Sequence, residues 1–244
     1  MAEGTGPSRL LDMVPGRSKQ VFKTWLSERP PPWSAGIEVV AMDGFAGFKT
    51  ATTEEPPGAT AVMGPFHVVR LAGEALDQCR RRVQQQLHGH RGRSGDPLYS
   101  CRRTLHTGIG LLSDRQWSRV RRLFNSDEHV DIEVTWAAYQ RLIGAYRDPN
   151  RARGKQALVT LIDSLRTGVP TGLVELGKLG RTLNKRTNDI LAYFDRPGTS
   201  NGPTEAINRR TEHLRGSARG FRNLDHYIAR CLLETGGFTP LLQP

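Results

Sequence analysis

At 244 residues, 37% hydrophobic and 24% charged, the chain suits one ordinary domain or a small domain carrying a large insertion, and it can bury a core. It contains no run of about 18 apolar residues, and Met1-Ala2-Glu3-Gly4-Thr5-Gly6 has neither a basic nor an apolar leader pattern, so the cytoplasm is the expected location. Cys79, Cys101 and Cys231 form no C-x-x-C pair, which argues against a disulfide framework or a cysteine zinc site, and the net charge of +11 favours a polyanionic partner, nucleic acid first.

Leu10-Leu11-Asp12-Met13-Val14, closed by Pro15-Gly16, reads as a strand. A helix beginning near Ser18 places Val21, Phe22, Trp25 and Leu26 on one face and ends before Pro30-Pro31-Pro32. Ile37–Met42 is a second, β-branched strand running into Asp43-Gly44, and Thr60–Met63 is a third after a short helical stretch around Phe48 to Glu55. Strand, helix, strand order implies parallel pairing in an α/β sheet. From about Phe66 to Phe194 the pattern is helical. Apolar faces fall at Leu71, Ala75, Leu76 and Cys79; at Trp117, Val120, Leu123 and Phe124; at Val134, Ala138, Leu142 and Tyr146; and at Ala157, Leu158, Leu161, Ile162 and Leu165. Gly89–Pro97 has loop composition. Thr199-Ser200-Asn201-Gly202-Pro203 reads as a helix start, with Asn201 as cap, and a last helix carries Leu224, Tyr227, Ile228, Cys231 and Leu232 before Gly236-Gly237.

Three residues could carry chemistry, and each also has a plain structural reading. Asp43 sits where a buried strand ends, the edge at which catalytic groups gather in open α/β sheets, or it simply makes the following turn with Gly44. Glu205 could be a metal-binding carboxylate, or a first-turn acid stabilised by the helix dipole. His67 could be a site residue, or a satisfied core or cap histidine behind the turn at Gly64-Pro65.

Taken in order, these segments form a wider pattern. Val39-Val40-Ala41-Met42-Asp43, then Pro65-Phe66-His67-Val68-Val69 with Leu76-Asp77-Gln78-Cys79-Arg80 behind it, then Ser200-Asn201-Gly202-Pro203-Thr204-Glu205-Ala206-Ile207-Asn208 with Gly220-Phe221-Arg222-Asn223, resemble the insertion-sequence transposases of the ISL-three type, which have an RNase H-like DDE catalytic domain. The resemblance runs from about Leu10 to Leu233. It implies an incomplete RNase H-like α/β fold, strands three to five, with a large all-helical insertion that makes the chain mostly α. Residues 1–65 would be the N-terminal part of that core, 66–195 the insertion, and 196–244 the C-terminal helices bearing the glutamate.

By the same resemblance Asp43 and Glu205 are the second and third acidic residues of the triad. In an intact enzyme three such carboxylates share two Mg²⁺ ions about 3.5–4 Å apart. The first acidic residue would lie on a strand before Leu10, as would the segments that find the transposon ends; Asp12 falls inside the block matching a later strand. The family's Asp-x-x-His reads Gly64-Pro65-Phe66-His67 here, so the acidic partner of His67 is absent. The resemblance thus implies a truncated enzyme that holds metal weakly or not at all and does not transfer strands.

A poorly soluble product is a further expectation, since a hydrophobic strand would have an unpaired edge. Arg80-Arg81-Arg82, Arg102-Arg103, Arg119, Arg121-Arg122 and Arg209-Arg210 could hold DNA phosphates without sequence preference, or form solvated helix faces. Partners to expect are DNA and, as an alternative role, an intact transposase of the family that this chain inhibits.

Overall fold

The structure is a computed structural model that describes residues 8–16, 18–42, 50–52, 54–55 and 58–237. In chain order its named elements are α1 (Lys19–Ser27), α2 (Pro31–Ala35), β1 (Val39–Met42), β2 (Thr60–Met63), α3 (Pro65–His88), α4 (Pro97–Leu105), α5 (Asp114–Phe124), α6 (Val130–Arg147), α7 (Arg151–Thr167), α8 (Val174–Lys185), α9 (Thr187–Asp195), α10 (Gly202–Ser217) and α11 (Leu224–Thr235). Two units emerge, one from residues 1–61 with 199–244 and one from residues 62–198.

In the first unit, Ser18 caps α1 by accepting a hydrogen bond from the Val21 amide at 3.2 Å. The proline run ends one helix and starts another. Pro31 occupies the first turn of α2, where a missing N–H costs nothing. Trp33 then meets Trp25 edge-on at 5.7 Å, with the Arg29 guanidinium 4.6 Å from the Trp25 ring centre. β1 and β2 form a two-stranded parallel sheet, entered by the Thr60 amide donating to the Glu38 carbonyl at 2.8 Å.

Leu10–Val14 is not a strand. Its composition suits one, but among the described residues no neighbouring strand offers a ladder, and Leu11 and Val14 stay exposed. The segment is held at two points instead. The Leu10 amide donates to the Thr235 carbonyl at the end of α11 (2.8 Å), and the Asp12 carboxylate accepts from Trp25 Nε1 (2.6 Å) and the Met13 amide (2.7 Å).

The second unit is helical around a closed ring of four, α3 against α6, α6 against α7, α7 against α8 and α8 against α3. Its core includes Leu76, Cys79, Leu142, Leu158, Leu161 and Leu183. Two helix crossings need glycine. A Cβ on Gly154 of α7 would lie 2.4 Å from the Ala145 carbonyl oxygen of α6, and one on Gly180 of α8 would lie 2.7 Å from the Leu165 carbonyl oxygen of α7. Only a residue without a side chain lets these backbones approach so closely.

Two of the expected apolar positions point outward. Val134 is 41% exposed and Ala157 is exposed, whereas α6 buries Ile132, Trp136, Tyr139, Leu142 and Ile143. The buried face of α6 is set by its contacts at the end of α4. Trp136 Nε1, the Tyr139 hydroxyl and Gln140 Nε2 donate to the carbonyls of Leu105, His106 and Thr107 at 3.0–3.1 Å. Those carbonyls would otherwise lack partners at a helix terminus.

Charged groups complete the ring. Arg82 on α3 bonds Glu175 of α8 at 2.8 Å and Asp131 of α6 at 3.0 Å, and Arg186 meets Asp189 at 2.6 Å with both side chains buried. Among the described residues no helix is long and apolar enough to cross a membrane.

Candidate functional site

β1 ends at Met42, which is buried, and the next residue is Asp43. Asp43 itself lies outside the described residues. Glu205 sits in the first turn of α10, half-buried, its amide donating to the Asn201 carbonyl at 3.0 Å. Asn201 occupies the N-cap position, as its sequence context suggests, but its side chain makes no capping bond. The Ser200 hydroxyl instead accepts from the Gly202 amide at 3.3 Å. Among the described residues the Glu205 carboxylate makes no ion pair, so a hard oxygen donor stands at the positive end of a helix.

Asp12 has a different occupation. Its hydrogen bond from Trp25 and, after that, the one from the Met13 amide hold its carboxyl below the usual carboxylate range. Both oxygens are engaged in anchoring the N-terminal segment.

His67 belongs to the other unit, in the first turn of α3 after the buried Gly64, whose extended backbone starts the helix without a side-chain cap. Its Nδ1 lies 3.2 Å from an Arg70 guanidinium nitrogen. A guanidinium only donates, so in this contact Nδ1 is the acceptor. Among the described residues no group of three or more His, Cys, Asp or Glu could hold a metal. Cys79, Cys101 and Cys231 are buried, and burial pushes their thiols up, as structural cysteines require.

The arginine clusters divide. Arg80 is buried, bonded to Asp77 at 2.9 Å and to Gln84, and so does not face a phosphate. Arg82 is tied to Glu175 and Asp131, Arg81 to Asp77 at 2.7 Å, and Arg210 to Glu234 at 2.7 Å. Arg102 donates to the Tyr99 carbonyl and covers its ring, and Arg121 lies 5.0 Å from the Trp117 ring centre. Arg103, Arg122 and Arg209 are exposed without an ion pair among the described residues. Arg115 stands in no run of adjacent arginines and is missed by counting runs. The helical period is the signal that finds it, because Arg115, Arg119 and Arg122 fall at i, i+4 and i+7 of α5.

Comparison with known proteins decides the family. A family described as "Transposase", of the DDE and ISL-three type, matches residues 1–231. The chain belongs to the ISL-three type DDE transposase family. The chain is also 26% identical over 255 aligned positions to the "Transposase for insertion sequence element IS1557" of Mycobacterium tuberculosis, in strain CDC 1551 / Oshkosh and in strain ATCC 25618 / H37Rv alike. The alignment covers 96% of this chain and 56% of each relative, so the chain spans little more than half the length of the curated transposases it matches. No solved structure matches it.

Proposed function

We propose that this chain supplies the C-terminal part of a DDE transposase catalytic domain acting on DNA, with Asp43 and Glu205 as the second and third acidic residues. One observation carries the reading. In the unit that joins residues 1–61 to 199–244, β1 is followed in sequence by Asp43, and α10 carries at its N-terminus the Glu205 carboxylate, which has no ion pair among the described residues, in the order that the resemblance implies. The helical unit, residues 62–198, is on this reading the insertion between the last core strand and the glutamate helix, and His67 begins it.

Carboxylate oxygens suit Mg²⁺, and Glu205 fits that role because no cation of the described residues already occupies it. When bound, the ion supplies Lewis-acid polarisation of a phosphoryl oxygen. Asp43 and Glu205 would hold it, and Arg209, one turn beyond Glu205 on α10, would face the DNA phosphates with its exposed guanidinium. Two matched carboxylates hold one ion rather than the pair, so the 244 residues unaided are proposed not to transfer strands. A nicking assay on supercoiled DNA with magnesium tests this. The expected result is no nicking above background, and magnesium-dependent nicking that disappears on Asp43→Ala would refute it.

A further inference from the structure

We infer that one face of α5 is a phosphate-binding ridge for duplex DNA, formed by Arg115, Arg119 and Arg122. The three side chains are exposed and fall within a narrow sector of the helix, since spacings of four and three residues return to nearly the same angle. None has an ion pair among the described residues, whereas most other arginines on the helical unit have an acid or an aromatic ring to hold them. The opposite face of α5 is fixed, with Val120 and Leu123 buried and Trp117 and Phe124 packed on the core. A capping box at Ser113 and Gln116 anchors its start. The helix that carries the ridge is therefore fixed at its start and along its buried face.

The three positions span about 10 Å of helix axis, over which one strand of a duplex carries about three phosphates. Guanidinium groups bind phosphate through paired hydrogen bonds, and side chains without an acid partner need break nothing to do so. Arg121 adjoins Arg122 in sequence, but around the helix it turns away from the ridge and rests on Trp117. The contact is to the backbone, so the ridge holds DNA without reading sequence. DNA as partner rests on the transposase reading, but the ridge does not depend on Asp43 or Glu205.

The test is fluorescence anisotropy with two labelled duplexes of unrelated sequence, in EDTA, at several salt concentrations, using the whole chain. R115Q/R119Q/R122Q keeps good helix formers and removes three positive charges. R153Q/R166Q/R215Q removes the same charge from arginines already paired with Asp148, Asp163 and Glu212. The ridge variant is expected to weaken binding to both duplexes about tenfold or more and to flatten the slope of log affinity against log salt by about 2–3, at roughly 0.9 per phosphate contact. The control variant is expected to change affinity less than about threefold by the same electrostatic reasoning. R115K/R119K/R122K should restore most of the slope, and R119Q alone should remove about a third of it, which keeps the test sound if the triple variant melts early. Equal loss in the ridge and control variants would show an effect of net charge alone and overturn the inference, as would no loss in the ridge variant. Anisotropy in EDTA does not draw on the carboxylates, whereas Mn²⁺ binding does, so failure of the carboxylate reading and failure of the ridge give separate results.

Discussion

Three glycines in the helical unit predict opposite outcomes for the same substitution. On Gly154 an added methyl would lie 2.4 Å from the Ala145 carbonyl oxygen and 3.0 Å from the Phe194 ring, against ordinary contact of 3.4–4 Å. The nearer group is backbone, so no rotamer change relieves it, and α6 and α7 must part by about 1 Å at a cost near the upper end of the roughly 1–3 kcal/mol seen for overpacked cores. Alanine returns about 1 kcal/mol of helix propensity, leaving a net loss of about 1–2 kcal/mol. Gly144, exposed in α6, has nothing within 4 Å of the added methyl, so there the propensity term stands alone. Gly144→Ala should gain about 0.5–1 kcal/mol. At roughly 2–4 °C per kcal/mol for a chain of this size, thermal unfolding followed by circular dichroism should place Gly154→Ala clearly below the parent and Gly144→Ala above it. A Gly154→Ala protein that unfolds at or above the parent's temperature would refute the helix ring as described.

Gly180→Ala should behave like Gly154→Ala, because its methyl would meet the Leu165 carbonyl oxygen at 2.7 Å; urea midpoints would show it. Asp189→Asn removes the carboxylate that faces Arg186 where both side chains are buried, and should cost about 3–5 kcal/mol in urea unfolding; a loss below about 1 kcal/mol would contradict the packing. Stability should also depend on acid. Burial pushes the Asp77 and Glu175 carboxyls up, but Arg80 with Arg81 and His106 around Asp77, and Arg82 beside Glu175, outweigh it, and both lie below their usual values of 3.8 and 4.5, as does Asp12. Depressed native values mean that the unfolded chain binds more protons, so this stability is full above the usual values and is lost as pH falls through the native ones. Melting temperature should hold from neutrality to about pH 5 and drop below about pH 4, and Asp77→Asn should shrink that drop.

How far the sequence reveals the molecule depends on whether a signal is local. α3, α5 and α7 carry long apolar periods, and β1 and β2 carry β-branched runs, so their positions are legible. Leu10–Val14 has strand composition, but a strand is a relation between two segments, and the second is not written in the first. The outward turn of Val134 follows from α6 meeting the carbonyls at the end of α4, a contact between segments about thirty residues apart. Arg82 looks like a free cation in the run Arg80-Arg81-Arg82 until Glu175 is brought beside it. Gly154 and Gly180 look like weak points in helices until the crossings are seen. At the candidate site, the order of blocks around Asp43, His67 and Glu205 points to the family through resemblance, while Glu205's place in the first turn of its helix follows from Asn201 and Pro203 alone. Asp12 could be weighed as an acid of the site from sequence, and its bond to Trp25 gives it another task.

The proposed pairing of Asp43 and Glu205 around one divalent ion is tested by titrating the 244-residue chain with Mn²⁺ and following the free ion by electron paramagnetic resonance, in the parent, Asp43→Asn, Glu205→Gln and the double variant. The expected result is a single weak site that either substitution abolishes, with the double variant no different from the singles. Unchanged Mn²⁺ binding in either single variant would contradict it.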